Sequence, residues 1–294
     1  MTTLNEYKEI IDKKLDEFLK VEYPEEIFNS MRYSVLADGK RLRPVMVLEA
    51  CKMFSGDFQN AIPTACALEM LHAQSLIHDD LPCMDNDDFR RGKPTNHKAF
   101  SESTAVLAGD ALLSFAPQII IKNPCNNTAE NILKVLDEFF TSAGAYGIIA
   151  GQIVDIDSEH KEIDFETLKY IHKYKTAHLF KCALKCGAIL GGANDEQLKN
   201  VEQFADEFGL AFQICDDILD VVATFEEIGK TPNKDAKAEK MTYVTCFGLE
   251  DATKKLQQHI KNACDILNNS DFKSEILFNI TLGLEEKILK RINK

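Results

Sequence analysis

Residues 76–94 read LIHDDLPCMDNDDFRRGKP, which places five aspartates within ten positions and three cationic residues within the four that follow Phe89. An acidic run of this kind is usually a solvated loop. This run, however, directly follows an apolar segment and directly precedes cations of the opposite sign. The rest of the sequence must therefore distinguish a surface loop from a site for metal ions or phosphates.

Composition favours one large intracellular domain. With 294 residues, 45% of them hydrophobic, and only 14 Gly and 8 Pro, the chain can bury a large core and has no linker-like stretch, so we predict a single domain over residues 1–294. The net charge of −13 makes nucleic acid an improbable partner, although a local basic group can still hold a small phosphate. Nine scattered cysteines without a CxxC pair indicate reduced thiols, as in a cytoplasmic protein.

Neither end of the chain nor its apolar segments predict a membrane protein. The first residues, MTTLNEYKEIIDKKLDEFL, are charged throughout and lack the features of a signal peptide. The longest apolar stretch, AVLAGDALLSFAPQIII, is interrupted by Asp110 and Pro117, so we expect no membrane span.

Apolar residues recur with helical spacing along nearly the whole chain, and alternating strand patterns are essentially missing, which predicts an all-α fold. After the first stripe, at positions 4 to 18, the predicted helices lie around 45–54, 61–77, 103–121, 130–150, 166–190, 197–223 and 242–268. The pattern lapses in the Lys-rich loop EEIGKTPNKDAKAEK, and a loop of this length in a compact domain is more often functional than not.

A second acidic cluster lies in GLAFQICDDILDVVATF, residues 209–225. On a helix, Asp216 and Asp220 share one face at roughly 6 Å along the axis. Ionised carboxylates in apolar surroundings are costly unless they are paired or coordinated, and no Lys or Arg lies within two turns. In the first cluster, Pro82 predicts that the helix ends or kinks, which would bring Asp85 beside Asp79.

Two carboxylate clusters on separate helices suggest a cavity that binds magnesium, which takes hard oxygen ligands, waters and substrate phosphates. Calcium fits less well, because an EF-hand loop starting at Asp79 would have Met84 and Arg90 where Gly and Glu are needed. Zinc would require suitably spaced Cys and His. Arginine and lysine side chains could cover the oxygens of a magnesium diphosphate; the candidates are Lys40, Arg41, Arg43, Arg90, Arg91, Lys173, Lys175, Lys230, Lys234 and Lys240.

These motifs, in this order, make the chain similar to the short-chain all-trans prenyl diphosphate synthases, in particular the farnesyl and geranylgeranyl diphosphate synthases. The resemblance rests on GKRLRP, EMLHAQSLIHDDLPCMDNDDFRRGKPTNHKAF, LAGDALL, GQIVDID, HKYKTAHLF, FQICDDILD and the IGK loop. It implies an isoprenoid-synthase-type helical bundle around a deep central cavity, a homodimer, about three Mg²⁺ ions, and condensation of isopentenyl diphosphate with an allylic diphosphate.

The resemblance also implies roles for individual residues. Metal ligands or their supports would be Asp79, Asp80, Asp85, Asp216, Asp217 and Asp220. The allylic diphosphate would be held by Arg90, Lys175 and Lys230, and isopentenyl diphosphate by Lys40, Arg43, His72 and Arg91. Thr176 and Gln213 would offer oxygen dipoles to the allylic cation. The departing diphosphate can take the final proton, so no side-chain base is expected.

Product length depends on the residues just before the first aspartate motif. Bacterial farnesyl synthases commonly have an aromatic residue where this chain has Gln74, followed by Ser75, about 7.5 Å of helix before Asp79. We predict mainly the C15 product, with C20 as the alternative. In the loop, Glu239 precedes Lys240 where relatives often have Gly, which leaves the role of Lys240, like that of Lys234, open.

Three other functions fit the sequence less well. A terpene cyclase usually replaces the second motif by an Asn/Ser/Glu triad, which DDILD contradicts. A His-Asp phosphohydrolase could use His72, His78 and Asp79 but would have no role for Arg90 and Arg91. A non-catalytic subunit of a heteromeric prenyl synthase normally lacks one Asp motif, and both are intact here.

Overall fold

The computed structural model describes residues 3–222 and 241–292. Within these ranges it is helical, apart from one hairpin of β1 (Phe89–Arg90) and β2 (Lys93–Pro94), which confirms the all-α prediction. The helices are α1 (Leu4–Phe18), α2 (Glu25–Val35), α3 (Leu42–Ser55), α4 (Ile62–Asp79), α5 (Asn96–Ala99), α6 (Glu102–Lys122), α7 (Ala129–Ala143), α8 (Ile148–Asp157), α9 (Phe165–Ile171), α10 (His178–Gly191), α11 (Asp195–Val222), α12 (Tyr243–Asn269) and α13 (Glu275–Ile292). A 3₁₀ turn (Gln59–Ala61) precedes α4, and a π-helical turn (His172–Ala177) joins α9 to α10.

The chain forms two compact units. The first unit contains residues 1–140 and 186–192, and the second contains residues 141–185 and 193–294. The single domain expected from composition remains a prediction.

The core of the first unit is built around α4. This helix is mostly apolar, and its residues from Ile62 to Leu71 are buried without interruption, as expected for a central helix rather than an amphipathic surface helix. Helices α3 and α6 pack against it. One polar group in this core, Glu49 of α3, accepts a hydrogen bond from Tyr7 Oη at 2.8 Å.

The core of the second unit is built around α11, which packs against α12 and α13. Its buried face carries Phe204 and Phe208, and the ring of Phe208 lies edge-on to Phe180 of α10 at 5.2 Å between centroids. Helix α11 is therefore held rigidly over its length, and the second aspartate motif lies near its end.

Several helix boundaries differ from the prediction. The segment 130–150, expected to be one helix, is divided into α7 and α8. The break involves Gly147, where a Cβ would lie 2.1 Å from the carbonyl oxygen of Ser142, so the chain turns too tightly there for a side chain. Helices α2 and α13 were not predicted.

Two segments of the described chain, Glu102–Lys122 and Ala129–Asp157, are long and apolar enough to cross a membrane by length and composition. Core helices of soluble proteins meet the same criterion, and α6 packs against α4. The expected absence of a membrane span stays a prediction. None of the nine cysteines, all within the described ranges, forms a disulfide; six are buried, and Cys83 and Cys125 are exposed.

Candidate active site

The backbone after α4 brings the ends of the first aspartate motif together. Helix α4 ends at Asp79, three residues before Pro82, and the chain then turns back so that the N–H of Asp85 donates to the carbonyl oxygen of Asp79 at 2.9 Å. Asn86 follows with φ of 49°, a left-handed conformation that Asn tolerates. The prediction that Pro82 ends the helix and places Asp85 beside Asp79 is confirmed.

The hairpin after this turn carries Arg90 back to the motif. Its turn residues Arg91 and Gly92 have φ of 53° and 75°, as a two-residue hairpin of right-handed twist requires. Arg90 Nε donates to both carboxylate oxygens of Asp80 at 2.8 Å, and Nη2 donates to Oδ1 at 2.5 Å. Asp79 and Asp87 lie further from the same guanidinium, at 4.0 and 3.6 Å. The hairpin thus places the guanidinium of Arg90 beside the three carboxylates.

Asp80 is the buried member of this group, with 3% of its surface exposed. Burial raises the pKa of Asp80 to about 6, although the hydrogen bonds from Arg90 act in the opposite direction. Burial alone would lower the pKa of Arg90, but the contacts with Asp80, Asp79 and Asp87 raise it. Asp80 therefore holds Arg90 in place, which agrees with a supporting role rather than that of a primary ligand.

A buried ion pair fixes the start of α3. The backbone of Arg41 is left-handed, with φ of 51°, immediately before Leu42–Ser55. Its guanidinium donates to Glu69 Oε1 and Asp12 Oδ1, both at 2.7 Å, and to the carbonyl oxygen of Ala37 at 2.9 Å. From the sequence, Arg41 was a candidate for covering diphosphate oxygens; its structural role was missed because its partners lie 29 and 28 residues away in the chain.

Two further arginines, Arg43 and Arg91, lie near this ion pair. Arg43 Nη1 lies 3.4 Å from His72 Nε2, and the guanidinium of Arg91 lies against Gly39, where a Cβ would be 2.8 Å from Nη1. Burial, with a contribution from Arg91, lowers the pKa of Arg43 to about 10. Burial and the nearby arginines keep the pKa of His72 well below its ordinary value, so the imidazole is neutral. Three of the residues expected to bind isopentenyl diphosphate, Arg43, His72 and Arg91, thus lie together, with an excess of positive charge that favours an anion.

Lys40, the fourth residue of this group, is exposed on the loop before α3. The residues predicted to control product length are half-buried on α4. Ser75 Oγ donates to the carbonyl oxygen of His72 at 2.9 Å, and Gln74 Nε2 lies 3.1 Å from His78 Nδ1.

In the second unit, the π-helical turn positions Lys175 and Thr176. A Cβ on Gly151 of α8 would lie 2.2 Å from the backbone nitrogen of Lys175, so only glycine permits this approach. Asp155, one turn further along α8, accepts a hydrogen bond from Lys175 Nζ at 2.6 Å. The motif GQIVDID therefore supplies both the close contact and the anchor for Lys175. The sequence analysis quoted this motif without a role; its signal was an aspartate within an apolar run.

The second aspartate motif is organised by neutral donors. Asp217 is buried, with 3% of its surface exposed, and it accepts hydrogen bonds from Gln213 Nε2 at 3.0 Å and from the backbone N–H of Tyr243 at 2.8 Å. The amide nitrogen of Gln213 is therefore engaged by Asp217, and its role toward an allylic cation stays a prediction. Asp216 is half-buried and Asp220 is buried.

His172, the first residue of the π-helical turn, completes this arrangement. Its ring stacks on Tyr243 with 5.4 Å between centroids, and its Nε2 lies 3.7 Å from Asp217 Oδ2. Burial lowers the pKa of His172 to about 4, although Asp155 and Asp216 act in the opposite direction. Sequence reasoning missed His172 and Tyr243, since neither carries a local signal of its contact with α11.

Each aspartate motif, taken by itself, fits magnesium only if substrate and water complete the coordination. Across residues 3–222 and 241–292, no group of three or more His, Cys, Asp or Glu side chains is arranged to hold a metal ion. Mg²⁺ commonly binds through one or two carboxylates together with waters and phosphates. Asp79, Asp85 and Asp216 are half-buried and suit that role better than Asp80 and Asp217, which accept hydrogen bonds on both oxygens. Lys230, Lys234 and Lys240 lie outside the described residues.

Comparison with known proteins places this geometry in a family. Residues 24–277 match the polyprenyl synthetase family model. A chloroplastic geranylgeranyl pyrophosphate synthase of Catharanthus roseus is 49% identical over 82% of this chain and 68% of its own, and the farnesyl diphosphate synthase of Bacillus subtilis is 40% identical over 94% of both chains. The crystal structure of a Helicobacter pylori geranyltransferase complexed with magnesium and isoprenyl diphosphate has a TM-score of 0.82, with 31% identity over 98% of this chain and 97% of its own.

The chain therefore belongs to the polyprenyl synthetase family and has the helical fold of the isoprenyl diphosphate synthases. Within that family it is a short-chain prenyl diphosphate synthase, a prenyltransferase. Its relatives are named for both the C15 and the C20 product.

Proposed function

We propose that this prenyltransferase condenses isopentenyl diphosphate with dimethylallyl and then geranyl diphosphate and releases mainly farnesyl diphosphate. The observation that carries the C15 assignment is Gln74, five residues before Asp79, whose amide is hydrogen-bonded to His78. A side chain held about 7.5 Å along the helix from the first aspartate can stop a chain after one or two added isoprene units. The match to the Bacillus subtilis farnesyl synthase over 94% of both chains supports this assignment.

We assign the metal site by charge and exposure. Asp79, Asp85 and Asp216 would bind magnesium, about three ions in all as the family resemblance implies, while Asp80, Asp217 and Asp220 would support them. Bound magnesium would neutralise the diphosphate as the allylic C–O bond breaks. The magnesium complex of the Helicobacter pylori protein supports the choice of metal.

The substrate assignments follow from the cations. Arg90 and Lys175, each fixed by a carboxylate, would hold the allylic diphosphate together with Lys230. Lys40, Arg43, His72 and Arg91 would hold isopentenyl diphosphate, with the neutral His72 able to donate a hydrogen bond. Fixed cations stabilise the leaving diphosphate, and the oxygens of Thr176 and Gln213 would stabilise the allylic cation without attacking it. Positioning of the second double bond supplies much of the remaining acceleration.

A C20 product is the second candidate. The Catharanthus roseus relative, which is a geranylgeranyl synthase, is 49% identical, and Ser75 is small. We further propose that the enzyme acts as a cytoplasmic homodimer, as the family resemblance implies.

The decisive experiment is a product analysis. The purified protein is incubated with magnesium, isopentenyl diphosphate and one of dimethylallyl, geranyl or farnesyl diphosphate, and the products are separated by length. We expect C15 from the first two starters and little extension of farnesyl diphosphate, with no product in EDTA. Dominant C20 from farnesyl diphosphate would replace the C15 assignment, and the absence of any condensation would contradict the proposed activity.

Position 74 provides a second test. Gln74→Ala should lengthen the products because it removes bulk beside the growing chain, and Gln74→Phe should shorten them. An unchanged distribution in both variants would show that this residue does not control length.

A further inference from the structure

His78 of α4 lies directly against Gly109 of α6. A Cβ on Gly109 would be 2.0 Å from His78 Nε2 and 2.4 Å from Cδ2, well inside van der Waals contact. Gly109 is buried within α6, where glycine costs about 1 kcal/mol relative to alanine. The imidazole therefore occupies space that any larger residue at position 109 would take.

The direction of the hydrogen bonds around His78 follows from elementary chemistry. His78 Nε2 lies 3.1 Å from the carbonyl oxygen of Val106, and a carbonyl oxygen can only accept. Nε2 must therefore carry a hydrogen, and in this tautomer Nδ1 is an acceptor. Gln74 Nε2, at 3.1 Å from Nδ1, is then the donor. A single ordered relay thus runs from Gln74 through His78 to the backbone of α6.

We propose that His78 is a positioning residue that holds the amide of Gln74 and thereby sets the length of the prenyl product, and that Gly109 makes room for it. This inference rests on the proposed function. An aromatic ring limits a chain by its bulk, whereas a glutamine has several rotatable bonds and limits a chain only if its orientation is fixed. The hydrogen bond to His78 Nδ1 supplies that constraint, and the contact with α6 holds the imidazole ring in place.

Two substitutions of His78 test its two hydrogen bonds separately, the one with Gln74 and the one with Val106 of α6. In His78→Asn the amide lies near the position of Nδ1 and can still accept from Gln74, whereas in His78→Gln it lies near the position of Nε2 and keeps only the bond to α6. We expect His78→Asn to retain the wild-type ratio of C20 to C15. We expect His78→Gln to raise that ratio about fivefold, the equivalent of one lost hydrogen bond.

Gly109→Ala tests the contact from the other helix. The added methyl group must displace the ring, so the C20 to C15 ratio should again rise about fivefold. The matched control is Gly283→Ala on α13, because a Cβ at Gly283 meets nothing within 4 Å and φ there is ordinary. That control should keep the wild-type ratio and rate.

A double-mutant comparison separates positioning from a purely structural role. In a Gln74→Leu background, which has no amide to hold, His78→Gln should not change the product ratio further, whereas general damage would act equally in both backgrounds. If His78→Gln and Gly109→Ala keep the wild-type ratio while Gln74→Leu changes it, the inference is wrong although the proposed function stands. A wild-type protein that makes no prenyl diphosphate would remove both.

Discussion

The two aspartate motifs compensate a buried carboxylate in different ways. Each begins with a half-buried aspartate followed by a buried one, Asp79–Asp80 in the first unit and Asp216–Asp217 in the second. In the first motif the buried carboxylate faces a guanidinium from the hairpin. In the second it faces an amide and a backbone N–H, with a neutral histidine beside it.

The difference shows that the buried aspartates of two similar motifs can have different partners. A buried charge requires compensation, and either an opposite charge or several oriented dipoles can provide it. Arg90 is also the residue proposed to bind the allylic diphosphate, so the first motif would couple a carboxylate to substrate binding. The second motif instead connects Asp217 to Gln213 and to the start of α12.

The largest expected effect tests whether both motifs serve catalysis. Asp79→Asn and Asp216→Asn should each lower kcat/KM at least about 1,000-fold, because each removes a negative oxygen ligand from the proposed magnesium site. Steady-state assays over a range of magnesium concentrations measure this loss, and Asp137→Asn, at an exposed position of α7, is the control. A variant that keeps activity within tenfold would exclude its motif from the metal site.

The second prediction concerns the ion pair between Arg90 and the buried Asp80 in the first motif. Arg90→Gln leaves Asp80 buried without its guanidinium and should lower the free energy of unfolding by about 3 kcal/mol. Urea unfolding monitored by circular dichroism measures this change.

The control for this prediction is a double variant in which the charge of Asp80 is removed as well. Adding Asp80→Asn to Arg90→Gln should recover about half of the lost stability, because the buried charge is removed with its partner. If the double variant were as unstable as Arg90→Gln alone, the stabilisation would come from packing of the arginine rather than from charge.

The third and smallest effect concerns the neutral histidine of the second motif. Folded His172 has a pKa of about 4 and an unfolded histidine one of about 6.5, so on acidification the unfolded chain takes up the proton first. Its contribution to stability is present above pH 6.5 and is lost progressively towards pH 4. Between pH 6.5 and 5 this loss amounts to about 2 kcal/mol.

Urea unfolding of the wild type and of His172→Gln, in EDTA, isolates this contribution. The stability of the wild type should fall more steeply on acidification than that of the variant, whereas Asp80, with its raised pKa, affects both proteins equally. Parallel curves would mean that His172 is not held neutral.

Much of this molecule could be anticipated from local patterns. The helical period predicted α3, α4, α6, α11 and α12 to within a few residues, and Pro82 predicted the turn that brings Asp85 to Asp79. The division of 130–150 was missed because Gly147 is required by a contact with Ser142 and not by any local period. Arg41 was missed as a structural residue for the same reason, since its partners Asp12 and Glu69 lie far away in the chain.

The sequence alone determined the all-α class, the two aspartate motifs and the family, because helical periodicity, charge spacing and the order of motifs are properties of neighbouring residues. Only the tertiary structure decided that Asp80 and Asp217 are the buried members of their pairs, that Asp155 anchors Lys175, and that His78 links Gln74 to α6. Such roles depend on which donors, acceptors and empty spaces distant segments bring within about 3 Å of one another, a distance over which hydrogen bonds form.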